Sequence, residues 1–229
     1  MKSYGGNTGK GHRRWPVLLL VCAAEFAVVG ALAVVAIALP SIGEDLGFSR
    51  SGLQWVISAY VLAFGGFLLP AGRAADLLGR RRVFVAGLAL FSGASLMCAL
   101  SGSAGLLVAA RAAQGLGAAV VTPAALAILT SAFPEGLGRS RAVGFWTAAQ
   151  AGGGASGWIV GGFLTQGLGW EWVFLVTVPI GALGVLLAPI LLSESRAIRR
   201  LPRSSTRRAP RPSRRPWLFW STVSRERRR

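Results

Sequence analysis

The sequence predicts an all-α integral membrane protein, and three observations carry that prediction. Hydrophobic residues fill 53% of 229 positions while only 14% are charged, well short of the quarter that soluble domains carry. Apolar runs of bilayer-spanning length, about 20 residues each, recur at roughly 16–39, 53–72, 83–101, 104–130, 142–167 and 172–192. The connecting segments alternate in charge. The fold class expected is six transmembrane helices over 15–193, preceded by a short segment, 1–14, and followed by a basic tail, 194–229.

The first run starts after Lys10, Arg13 and Arg14, as a signal peptide would. Its apolar stretch, Trp15 to Leu39, far exceeds the roughly 7–15 residues of a cleaved signal core. It reads as a retained span. The loop after it carries Glu44, Asp45 and Arg50, net −1. The loop after span two carries Arg73, Asp76, Arg80, Arg81 and Arg82, net +3. Residues near 101–104 are uncharged, the next loop (Glu135, Arg139, Arg141) is net +1, and the last holds only Glu171. Basic and non-basic loops alternate, so the positive-inside rule puts both termini in the cytoplasm. Trp15, Trp55, Trp146, Trp170 and Trp172 fall near span ends, as an aromatic belt requires. Trp158 is mid-span and unexplained.

The strongest functional signal lies in span four, at Arg111-Ala112-Ala113-Gln114-Gly115. A guanidinium at that depth costs roughly 2.5–3.5 kcal/mol on insertion scales, so it normally faces a bundle interior or an aqueous route. Gln114, Gly115, Ala118 and Thr122 share its helix face. The alternative is a side chain that snorkels to the nearer interface. Glu25 in span one is a second intramembrane charge, either a protonatable group or a snorkelling carboxylate at a pore mouth.

Two further patterns are structural. In the loop Gly72-Arg73-Ala74-Ala75-Asp76-Leu77-Leu78-Gly79-Arg80-Arg81-Arg82 the glycines permit tight turns. Asp76 there can pair with an arginine or cap a helix. An ion pair of that kind can latch one conformation and release another. In span five Gly153, Gly157 and Gly161 recur every fourth residue, with Gly162 beside them. Such a face allows close helix approach, either as a static seam or as a moving one.

Other chemistries find no support. Cys22 and Cys98 sit inside spans as small apolar residues, and His12 is the sole histidine, so no metal cluster is expected. The Gly5–His12 stretch fails as a phosphate loop, because Tyr4 and Gly11 occupy required Gly and Ser/Thr positions. With no nucleophile–base constellation, enzyme activity is not expected. The net charge of +17 resides mainly in 194–229, whose 13 arginines and two glutamates contribute +11. That Arg/Pro/Ser composition predicts disorder. It suits attraction to anionic lipid, and no folded nucleic-acid-binding module accompanies it. Out-of-frame translation of the tail is the competing explanation.

At these residues the chain resembles the major facilitator superfamily. Gly72–Arg82 is similar to its signature between helices two and three, and Arg111–Ala119 with Pro123 resembles its fourth-helix motif. The span-five glycines resemble its antiporter motif. Ala38–Ile42, Leu53–Tyr60 and Trp170–Gly181 are similar to the fourteen-helix drug:proton antiporter branch. The resemblance implies the N-terminal six-helix bundle of a proton-coupled exporter of hydrophobic or cationic drugs in the bacterial inner membrane. It implies proton coupling and substrate-path polarity at Arg111, Gln114 and Glu25. Gly72, Asp76, Gly79 and Arg80–Arg82 would gate the cytoplasmic end. Gly153, Gly157, Gly161, Gly162 and Pro123 would form the helix-packing hinge. The energy source implied is the proton gradient, without a cofactor. The partners implied are a small-molecule substrate, the lipid bilayer and a second half-transporter or homodimer.

Departures from the pattern are specific. Ala31 and Ala36 replace the branch's first-helix acid and asparagine, and Trp158 stands where its fifth helix usually has proline. Glu171 and Thr177 replace its commoner arginine and asparagine. One six-helix half walls only one side of a cavity, so a truncated or frame-disrupted antiporter is the expectation. A non-transporting membrane protein whose tail binds lipid or a partner, and an inactive fragment, are the alternatives.

Overall fold

A computed structural model describes residues 14–192, and among these every regular element is helical. The helices are α1 (Arg14–Asp45), α2 (Arg50–Leu53), α3 (Trp55–Leu78), α4 (Arg80–Ala99), α5 (Ala104–Ala132), α6 (Leu137–Gly167), α7 (Glu171–Leu175) and α8 (Thr177–Leu191). The expected tail, 194–229, and most of the leading segment lie outside the described residues.

Five segments are long and apolar enough to cross a membrane: α1, α2 with α3, α4, α5, and α7 with α8. The sixth expected span is α6, with 31 residues. Its length, about 46 Å at 1.5 Å per residue, exceeds a hydrocarbon core of about 30 Å. Its glycines and polar residues keep it out of the apolar set.

Helix boundaries differ from the sequence expectation where polar residues continue a helix past the lipid. α1 runs through Pro40 to Asp45. Ile42 is fully buried there, and the Trp170 indole donates to the Asp45 carboxylate at 3.0 Å. Trp170 is therefore a buried strut and not a belt residue, whereas Trp15, Trp55 and Trp172 are exposed as a belt requires. Trp158, 57% exposed, points out of the bundle.

The expected loop Gly72–Arg82 is the largest correction. Gly72, Arg73 and Asp76 belong to α3 and Arg80–Arg82 to α4, leaving Gly79 alone as the connection. Its φ of 106° is one that L side chains rarely adopt. Asp76 does not cap α4, because Gly79 holds the N-cap position without any side-chain bond.

Packing relies on small residues, as expected where lipid tails remove the hydrophobic drive between helices. The most extensive contact joins α1 to α6, and α5 packs broadly on α3 and α4. Gly153, Gly157 and Gly161 are buried against α1 at Phe26, at Gly30 with Ala33, and at Val34. The residue numbers rise together on both helices, so the two run parallel. A β-carbon on Gly157 would lie 2.7 Å from Ala33 Cβ and 3.1 Å from the Gly30 carbonyl oxygen. Gly162 has nothing within 4 Å of such an atom and is not part of the seam. Pro123 is not part of it either. It lies within α5 and faces Gly72 of α3, 3.7 Å from where that residue's β-carbon would be.

Gly157→Leu should therefore destabilise the bundle by at least the roughly 1–3 kcal/mol of an overpacked core. Gly162→Leu should stay within about 0.5 kcal/mol of wild type. Thermal unfolding of the purified chain in detergent distinguishes them, and equal effects would remove the seam.

Candidate functional site

α5 begins at Ser103, whose hydroxyl accepts from Leu106 N–H at 3.4 Å. Arg111 and Gln114 follow one turn apart, both with no exposed surface. Arg111 does not snorkel. Its Nε donates to the Val56 carbonyl of α3 at 2.9 Å, and one terminal nitrogen donates to Gln114 Oε1. Gln114 Nε2 donates to Ser95 Oγ of α4 at 2.6 Å, and Ser95 donates in turn to the Phe91 carbonyl at 2.8 Å. The other terminal nitrogen, Nη2, is buried without a hydrogen-bond partner.

The guanidinium carbon stands 4.4 Å from the centre of the Tyr60 ring and 5.9 Å from that of Phe174. Each ring face offers negative quadrupole to the cation, worth about 2 kcal/mol or more when desolvated. Among the described residues no carboxylate forms an ion pair with Arg111. One backbone carbonyl, an amide and ring faces hold the charge instead.

Tyr60 extends the cluster to α1, donating its hydroxyl to the Val28 carbonyl at 3.0 Å. Its ring stacks on Phe64 with centroids 6.4 Å apart. Gly115 makes the approach possible, since a β-carbon there would run into the Tyr60 backbone. Thus five helices (α1, α3, α4, α5 and α7) meet around one side chain.

Glu25 forms a separate cluster. It is 1% exposed, which rules out snorkelling. Gln150 of α6 donates to its Oε2 at 3.0 Å. Thr122 of α5 faces the same carboxylate without meeting hydrogen-bond geometry, and Oε1 has no partner. Thr122 lies eleven residues beyond Arg111 on α5, about 16 Å along the axis. The expected grouping of Arg111, Gln114 and Glu25 on one path therefore splits in two. Val28, to which Tyr60 binds, is one turn from Glu25.

A third cluster surrounds Gly79. Asp76 pairs with Arg80 across it at 3.5 Å, and Arg80 also donates to the Ala127 carbonyl of α5 at 3.1 Å. Arg81 donates to the Leu192 carbonyl at 3.4 Å. The half-exposed ion pair is worth roughly 0–1 kcal/mol. The bonds to α5 and to the end of α8 are what tie this corner together.

Sequence reasoning singled out Arg111, Gln114, Glu25 and Thr122, but not Tyr60, Ser95 or Gln150 as site residues. Ser95 and Gln150 carried a weak signal, each being a hydrogen-bonding side chain within a membrane-length helix. Tyr60 did not, since an aromatic in an apolar run reads as core.

Membrane-length helices closed by glycine contacts around buried polar clusters define a multi-pass helical membrane protein. The chain belongs to the major facilitator superfamily, whose family model, described as Major Facilitator Superfamily, matches residues 21–228. It is similar to the cephamycin export protein CmcT of Amycolatopsis lactamdurans, 48% identical over 83% of this chain and 39% of that protein. The puromycin resistance protein pur8 of Streptomyces alboniger is 45% identical over 82% of this chain and 37% of that one. The tetracenomycin C resistance and export protein of Streptomyces glaucescens is 38% identical over 84% and 35%. The chain thus spans less than two fifths of the length of these relatives. In fold it is similar to a bacterial homologue of the human lysosomal transporter Spinster, solved inward-facing and unoccupied. The TM-score is 0.60 at 24% identity, over 82% of this chain and 43% of that one.

Tyr60→Phe keeps the ring on Arg111 and loses the bond to Val28, so about 1 kcal/mol of stability should go. Tyr60→Leu loses the cation–ring contact as well, about 2 kcal/mol more. Denaturant unfolding in micelles checks the order, and Phe matching Leu would contradict the cation–ring contact.

Proposed function

We propose that this chain is a six-helix unit of a proton-coupled exporter in the bacterial inner membrane. Its substrates would be hydrophobic or cationic drugs or antibiotics. The observation that carries the proposal is the fully buried Arg111, bonded to Gln114 and backed by Tyr60. A cation kept at that depth with no carboxylate partner among the described residues suits a site where proton or substrate charge arrives and leaves. Three relatives support the class of cargo, being named for cephamycin export, puromycin resistance, and tetracenomycin C resistance and export.

In this reading Arg111 and Gln114 give the transport path its polarity, and Glu25 carries a proton. Arg80, with Asp76, Arg81 and Arg82, holds the cytoplasmic end closed. The Gly153–Gly157–Gly161 seam lets α6 shift on α1. Cytoplasmic placement of both termini is the orientation that the alternation of basic and non-basic loops supports. One six-helix unit walls one side of a cavity, and alternating access requires a second, related unit, supplied by another half or another copy. The proton gradient drives the cycle without a cofactor, and no enzymatic step is involved.

Cells expressing the chain together with a second six-helix unit should extrude ethidium in a manner abolished by an uncoupler and by Arg111→Ala. No difference from empty vector across a broad drug panel would overturn the proposal. Glu25→Gln should retain binding of the dye but remove the dependence of efflux on the pH gradient, and an unchanged dependence would exclude Glu25 as the proton carrier.

A further inference from the structure

One hydroxyl of α5 behaves unlike most others in the bundle. Ser95, Thr130, Ser131 and Thr147 each donate to a backbone carbonyl three or four residues earlier in their own helix, the usual partner of a hydroxyl placed mid-helix. The Thr122 hydroxyl is buried and makes no such bond. An acceptor is at hand, because Pro123, the next residue, brings no N–H to the Ala119 carbonyl. The side chain faces the Glu25 carboxylate of α1 instead, whose Oε1 is likewise buried without a partner among the described residues. Both groups are enclosed by the helices themselves, away from any face that a further segment could cover.

The two side chains set against Glu25 differ in chemistry. Gln150 presents an amide N–H to Oε2 at 3.0 Å, and an N–H can only donate. A threonine hydroxyl can donate or accept. An ionised Glu25 can therefore take hydrogen bonds from both. A proton that adds to Oε1 forms an O–H bond, and that new donor needs an acceptor. Thr122 Oγ1 can serve, and the hydroxyl's own hydrogen then turns to the Ala119 carbonyl that Pro123 leaves open. One proton is gained and no buried donor is stranded. The titratable groups near Glu25 are the Cys22 thiol of α1 and the Tyr60 phenol of α3, both uncharged at neutral pH. Among the described residues no ion pair involves Glu25.

We propose that Thr122 is the positioning residue for the proton on Glu25, donating to the carboxylate and accepting from the carboxylic acid, with the Ala119 carbonyl taking the displaced hydroxyl hydrogen. This rests on the reading of Glu25 as the proton carrier. It gives Pro123 a role besides packing: the proline ring removes the N–H that would otherwise occupy that carbonyl.

Infrared difference spectra of the full chain in phosphatidylcholine vesicles, taken between alkaline and acidic pH, test this without any transport assay. The protonated Glu25 carboxyl is the C=O band that disappears in Glu25→Gln. In wild type it should lie at the lowered frequency of an acid that donates a hydrogen bond. Thr122→Val should move it upward, toward the frequency of an acid with a free O–H, and Thr122→Ser should restore it. A free-acid frequency in wild type overturns the proposal whether or not Thr122→Val folds. A band that Thr122→Val leaves in place overturns it too, assigns the acid's hydrogen bond to a turned Gln150 amide, and leaves Glu25 standing as proton carrier. If Glu25→Gln removes no band at all, Glu25 takes up no proton, and the proposal falls together with the reading beneath it.

Discussion

A guanidinium enclosed in a membrane bundle constrains everything packed around it. Lipid depth penalises the bare ion by roughly 2.5–3.5 kcal/mol. The surrounding helices therefore have to present dipoles. α3 turns the Val56 carbonyl toward it, α4 brings Ser95 to Gln114, and α3 and α7 supply ring faces. Each contact fixes one helix relative to α5. The polar cluster thus sets the register of a bundle that has little other directional force.

Close approach has to make such contacts reachable. In lipid, apolar side chains gain nothing by meeting one another, so backbones must come near enough for dispersion and short polar side chains to act. Gly115 lets α3 lie on α5 at Tyr60, and Gly117 lets α4 approach at Phe91. The α6 glycines do the same for α1. This division of labour explains why α6, which falls outside the apolar set, still belongs in the bundle. Its buried residues are Ala142, Gly153, Gly157 and Gly161, and its large side chains Trp158, Ile159 and Phe163 point outward.

The gross architecture was legible in the sequence because span length and loop charge are one-dimensional properties. Periodicity also exposed Arg111 and Gln114, since i and i+3 share a helix face wherever the helix lies. Contacts between helices were not legible. Nothing local says that Tyr60 meets Arg111 across two helices, or that Gln150 of α6 reaches Glu25 of α1, 125 positions earlier. Charge content also misled in one place. Gly72–Arg82 reads as a loop because it is polar and glycine-bearing, yet it is helical except at Gly79. Beyond the lipid a helix needs no apolar residues to continue. Gly162 shows the opposite failure: adjacency to Gly161 suggested a shared role, but a neighbour on a helix faces about 100° away.

The measurement closest to the central claim is hydrogen exchange at the arginine side chain. With the chain labelled on its arginine Nε positions, one Nε–H resonance should exchange far more slowly than the exposed arginines and vanish in Arg111→Lys. If every slow resonance survives that substitution, the buried guanidinium held by Val56 is not present, and the account of the bundle built on it is wrong.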